Sequence, residues 1–354
     1  MAQTIPATFD ALSVTTQGPG TVELTVRKGN DNKHATIETL LLSGPSERFK
    51  DTQVSAVLSE ERLNIIVKLA PTVAIGSLSI SLVSLKIAII ISLPNDIKDF
   101  ISNMNTGSLK IQDINFTRFI DLKSSTGSIA CDTKLETESL LISSSTGSIH
   151  VASCFASKFL ALETSTGKIT SGDITSAGIN LKAVTGKIEV TRVESSTDLC
   201  CESSTGSILL DNVVAESITA STGTGKIIVT KGILTKNAML TTNTGSIQAN
   251  FAGYENLACT TGTGEIKLVL TPAKLSKSIV QVNTGAVDVT CIGFEGVVTA
   301  LSNSGHTVLK GTNSSDGNYK PGVLAEAWVG GEKGGAAFDA HSRTGKCLLS
   351  FKKL

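Results

Sequence analysis

The chain of 354 residues is long enough for one large domain or two ordinary ones, and 40% hydrophobic residues allow a sizeable core. Lys plus Arg and Asp plus Glu number 31 each, so the formal charge is zero, which argues against nucleic acid or an anionic membrane surface as the partner. Thirty-two Gly against seven Pro exclude collagen and Pro-rich disorder.

The N-terminal MAQTIPATFDALSV has neither the basic start nor the apolar centre of a signal peptide, so a cytoplasmic location is expected. The first ten residues read as mobile. TVELTVRK, ATIETLLL, TQVSAVL and RLNIIVKL then read as strands separated by Gly, Asn and Pro turns. Residues 1–95 are expected to form a β-rich N-terminal region and cap, because an open stack of strands leaves unpaired edges.

Residues 73–93, VAIGSLSISLVSLKIAIIISL, are long and apolar enough to span a bilayer. Lys86 lies inside them, where a charge costs about 2.5–3.5 kcal/mol on insertion scales. GSLSISLV alternates at the strand period of two. The segment therefore reads as two buried strands broken near Ser84–Lys86, and not as a membrane helix.

From residue 96 the chain is organised by repetition. Thr-Gly recurs with its Gly at 107, 127, 147, 167, 186, 206, 225, 245, 264 and 285, and Ser-Gly continues the series at 305. The steps are 19 to 21 residues. Counting each Gly as zero, position +2 reads Leu109, Ile129, Ile149, Ile169, Ile188, Ile208, Ile227, Ile247, Ile266, Val287, Thr307. Positions −7, −5 and +4 are mostly apolar as well, whereas −4 and +1 are largely Lys, Glu, Ser or Thr. Alternation at period two on both sides of the Gly gives two short strands per unit.

A unit of this size cannot bury its apolar face alone, so the units must stack. The expected fold is all-β: a single-stranded parallel β-helix, or β-solenoid, of coils about 20 residues long. The crossover rule favours a right hand. Eleven coils would fill residues 96–310.

Each corner is built from the same residue types, represented by Thr126, Gly127 and Ile129, by Thr146, Gly147 and Ile149, by Thr166, Gly167 and Ile169, by Thr205, Gly206 and Ile208, and by Thr244, Gly245 and Ile247. Gly suits a bend that requires positive φ. The Ile is expected in the core. The Thr has the parity of positions −7 and −5 and is expected to face inward. Beyond the repeat, residues 311–354 read as an insertion with a hairpin around Ala325–Val329, then a capping coil that restores Thr-Gly at 344–345.

Repeated S-x-T-G-[SK]-I, as in SSSTGSI (143–149), TSTGKI (164–169) and ESSTGSI (202–208), resembles the putative-adhesin domain family. Similar small-residue repeats occur in autotransporter-adhesin head domains. The lead-in IIISLPNDIKDFISNMNTGSLKI (89–111) is similar to that family's entry into its solenoid. The resemblance covers about residues 60 to 310 and implies a right-handed parallel β-helix, often at a cell surface. It implies no catalytic residues.

The chemistry-bearing residues support a binding or scaffold protein, not an enzyme. A polysaccharide-active β-helix enzyme, the first alternative, needs clustered carboxylates. Glu163 and Glu202 share column −4 but lie two coils apart with Lys182 between them, which reads as a solvated charge ladder. His34, His150, His306 and His341 are isolated, and no catalytic, metal or cofactor motif appears. STGTGK (221–226) faintly resembles a phosphate loop but repeats as TTGTGE at 260–265, as a repeat corner would. An ice-binding Thr array, the second alternative, would need the T-x-T of positions −3 and −1 facing outward, whereas parity puts both inside.

The seven scattered Cys form no C-x-x-C pair and read as small apolar residues in a reducing compartment. The partners that remain are a protein or glycan surface, with end-to-end or side-by-side self-association.

Overall fold

The computed structural model describes residues 2–6, 8–30, 33–44, 46–59, 61–69, 85–94, 97–312, 317–330 and 335–353. Its regular structure is β-strand apart from the one-turn helix α1, Ser46–Lys50. Chain contacts divide it into two compact units, Met1–Ser176 and Ala177–Leu354.

Within each unit, strands begin at position +2 and end at the Thr before the next Gly. Ile129–Thr146 and Ile149–Thr166 are each one long strand, whereas Ile188–Ser195 and Asp198–Thr205 divide the same length into two. Neighbouring coils are parallel and one repeat apart. Ile129 pairs with Ile149 in the first unit, and in the second Ile208 lies between Ile188 and Ile227.

Stacking places like on like at about 4.8 Å, so an apolar position in the repeat becomes an apolar column. In the second unit Ile188, Ile208, Ile227, Ile247 and Ile266 are all 0% exposed. Each such side chain contributes about 1.5–3 kcal/mol on burial.

The two chain ends depart from sequence order. At the start of the first unit the strands are β1 (Ala2–Pro6), β2 (Ala11–Gln17), β3 (Thr21–Lys28), β4 (His34–Ser43), β5 (Gln53–Ser59), β6 (Arg62–Lys68), β7 (Lys86–Leu93) and β8 (Ile97–Gln112). β2 is parallel to both β6 and β8, and β3 is parallel to both β7 and the Gly107–Gln112 part of β8. The coil made of β2 and β3 is thus inserted between the coil of β6 and β7 and the coil of Gly107.

The outermost coil is closed by antiparallel strands, β5 on β6 and β4 on β7. The reading of a mobile first ten residues is corrected: β1 pairs antiparallel with β4 from Ala2 to Pro6 and covers an edge that would otherwise stand open. Residues 1–95 therefore supply two coils as well as a cap. In the apolar segment 73–93, Lys86 opens β7 with its Nζ 2.6 Å from Glu23 Oε1, and residues 73–84 lie outside the described residues. No helix among the described residues is long and apolar enough to cross a membrane.

The other end repeats the arrangement. The coil of Gly285 is followed in space by that of Gly345, with Thr284 beside Thr344 and Val287 beside Cys347. The coil of Gly305 packs on the far side, with Ser302 beside Ser342 and Thr307 beside Cys347. Gly317–Tyr319 and Ala325–Val329 lie antiparallel on its two strands.

Two expectations are corrected by this order. The coil of Gly345 is the second to outermost and does not cap, and Ala325–Val329 is an edge-covering strand, not a hairpin. Every coil carries the same frame of inward columns, so the frame alone cannot say which coil docks on which.

Candidate functional site

The corner residues define what the surface can offer. At all five sampled corners the Gly is in the left-handed half of backbone space, with φ of 133° at Gly127, 152° at Gly147, 153° at Gly167, and 151° at Gly206 and Gly245. Ile129, Ile149, Ile169, Ile208 and Ile247 are buried. Thr126, Thr146, Thr166, Thr205 and Thr244 are exposed. The expectation of inward Thr at −1 is corrected, because the parity slip falls between −3 and −1. Positions −2 and −1 both face solvent, and the inward hydroxyl is the one at −3.

That geometry explains the motif chemically. The Gly N–H continues the ladder, as from Gly206 to the Thr224 carbonyl at 2.8 Å. The Gly carbonyl instead accepts from the −3 hydroxyl of the next coil. Thr222 donates to Gly206 at 2.8 Å, Thr242 to Gly225 at 3.2 Å and Thr261 to Gly245 at 2.9 Å. The N–H at +1 donates to the Ser hydroxyl at +1 of the previous coil, as from Lys226 to Ser207 Oγ at 3.2 Å. Hydroxyls at −3 and +1 thus replace backbone partners where the chain bends, which is necessary for buried polar groups.

The same geometry bears on the alternatives. Thr222, Thr242 and Thr261 are buried while Thr224, Thr244 and Thr263 are outside, so the T-x-T pairs share no outward face. The glycine-rich corner at Gly225 has the same φ of 151° as Gly206, and it is a repeat corner. In the charge ladder, Lys182 Nζ lies 3.4 Å from Glu202 Oε2. His150 meets Thr170 at 3.1 Å. Among the described residues no three His, Cys, Asp or Glu side chains are grouped to hold a metal.

Six of the seven thiols are buried, and Cys200 is half-buried. Loss of hydration pushes Cys154, Cys291 and Cys347 up to about 12 and also raises Cys131, Cys201 and Cys259. Thiols held protonated in this way are packing groups, not nucleophiles.

A cleft of about 520 Å³ lies in the first unit. Register aligns Thr36 of β4, Ser92 of β7, Arg27 of β3 and Gln112 of β8 in one row across the sheet. Arg27 Nε donates to Ser92 Oγ at 3.2 Å. Lys28, Glu38 and Asp113 complete the charged lining. Asp113 has φ of 53°, a left-handed conformation that Asp tolerates because its short side chain bonds locally.

Elsewhere on this sheet face Lys86 pairs with Glu23 at 2.6 Å and Lys110 with Asp132 at 2.8 Å. Arg27, Lys28, Glu38 and Asp113 form no such pair among the described residues. The sequence gives no signal for this cleft, because the insertion of the β2–β3 coil is what brings β3 and β4 to opposite sides of β7.

The model of the Toastrack DUF4097 family matches residues 16–269, most of the chain and most of the stacked coils. The chain belongs to the Toastrack DUF4097 family. No curated protein matches it. Among solved structures, this Toastrack chain is similar to a putative adhesin from Parabacteroides distasonis at 11% identity and TM-score 0.43, covering 82% of this chain and 96% of that one. A putative adhesin from Parabacteroides merdae aligns at 12% identity and TM-score 0.40, over 82% and 95% of the two chains. One from Bacteroides fragilis aligns at 17% identity and TM-score 0.37, over 70% and 96%.

Proposed function

We propose that this protein is a non-enzymatic, adhesin-like binding or scaffold module that engages a partner through the surface of its stacked coils. The observation that carries the reading is the cleft of the first unit, where Arg27, Lys28, Glu38 and Asp113 bring charge of both signs to one concave surface. The S-x-T-G-[SK]-I resemblance supports the same reading. The corner motif is consumed by holding the coils together, which leaves the variable outward residues to recognise a partner.

The test is a panel of immobilised glycans and proteins probed with the full chain, beside turnover assays on polysaccharides. Saturable binding without turnover is expected. Turnover that disappears on changing a single carboxylate would overturn the reading.

A further inference from the structure

We propose that the cleft beside Arg27 recognises a hexuronic-acid unit of an anionic oligosaccharide. The inference rests on the binding-module reading and names the ligand class of that same site.

The Arg27 guanidinium is held from one side by the bond from Nε to Ser92 Oγ. This leaves its Nη pair as a preset fork for a carboxylate, which Arg binds through two parallel bonds. Lys28 adds a second cation to the lining. The first requirement on the ligand is therefore an anionic group that can take two parallel bonds, as a carboxylate does.

Glu38 and Asp113 set the second requirement. As carboxylates they only accept hydrogen bonds, so a complementary ligand must bring donors of its own. Thr36 and Gln112, on the row of Arg27, can each both donate and accept. A ring bearing one carboxylate and several hydroxyls meets both requirements.

Other ligand classes fit worse. A phosphate brings charge without the hydroxyl donors that Glu38 and Asp113 require. An apolar peptide or acyl chain would strip water from the charged lining and pair none of it. The cleft of about 520 Å³ lies within the 300–1,000 Å³ of small-molecule sites, room for a short stretch of a sugar chain.

The experiment titrates the full chain by calorimetry with oligogalacturonate and with hyaluronan oligosaccharides, each beside its carboxyl-reduced neutral counterpart. At least one acidic oligosaccharide should bind tenfold or more tightly than its neutral partner. Arg27→Ala should weaken that binding at least tenfold, and Arg27→Lys should weaken it less, because Lys keeps the charge while losing the fork. Both variants should keep the melting temperature of the parent, since Arg27 lies at the exposed end of β3. Equal binding of acidic and neutral oligosaccharides, binding indifferent to Arg27→Ala, or no binding of either acid would overturn the proposal. If the proteins or neutral glycans of the wider panel still bind, the module reading stands while this ligand assignment falls.

Discussion

Gly206→Val is expected to cost more than about 4 kcal/mol, at the extreme of single substitutions. Two effects act together. The backbone there has φ of 151°, which a β-branched residue resists. A Cβ would also stand 1.9 Å from the carbonyl oxygen of Gly186 in the neighbouring coil. The obstacle is backbone that the −3 hydroxyl of Ser203 also engages, bonding the same oxygen at 3.2 Å, so it cannot swing aside as a side chain could.

Even Gly206→Ala should be severe. Gly322 separates the two effects, having φ of 77° with nothing within 4 Å of an added Cβ. Gly322→Ala should therefore cost only the left-handed penalty, about 1–2 kcal/mol. Denaturant melts of the three variants measure the difference, and equal losses at positions 206 and 322 would refute the stacked-glycine corner.

Ile208→Ala should cost about 2–5 kcal/mol, the range for removing most of a large buried side chain, transfer plus cavity. Ile208 is 0% exposed between Ile188 and Ile227, themselves 0% exposed, so the coils above and below cannot collapse into the space without breaking their own parallel ladders. A loss below about 1 kcal/mol in the same melts would mean that the column is not packed.

The stacked coils were legible because the repeat is itself the register. Thr-Gly every 19 to 21 residues fixes which residues lie over one another, and the alternation at −7, −5, +2 and +4 fixes the core. The Thr at −1 misleads because simple strand parity runs through to the Gly, whereas the bend begins two residues earlier. The sequence does hold a clue: Ala183 and Val282 share column −3, as befits an inward position, and column −1 tolerates no such residue.

The intercalated ends were not legible for a different reason. The β2–β3 coil turns at Gly18-Pro19-Gly20 without a Thr-Gly, and the coil of Gly345 carries the same frame as those it separates. Its place is set by which edge it completes, a tertiary choice among near-equivalent docking surfaces. The cleft follows from that choice, since Arg27 and Thr36 belong to strands whose order across the sheet, β3, β7, β4, the sequence does not dictate.

The central claim is that position −3 faces the core and position −1 faces solvent, because this decides which residues the protein can present. Thiol labelling under native conditions tests it with Thr222→Cys and Thr224→Cys. In the parent, only half-buried Cys200 should react promptly, because burial keeps the other six thiols protonated and covered. Thr224→Cys should add a second promptly reacting thiol, and Thr222→Cys should add none until the protein is unfolded. Prompt labelling at position 222 with protection at position 224 would contradict the account and invert its columns.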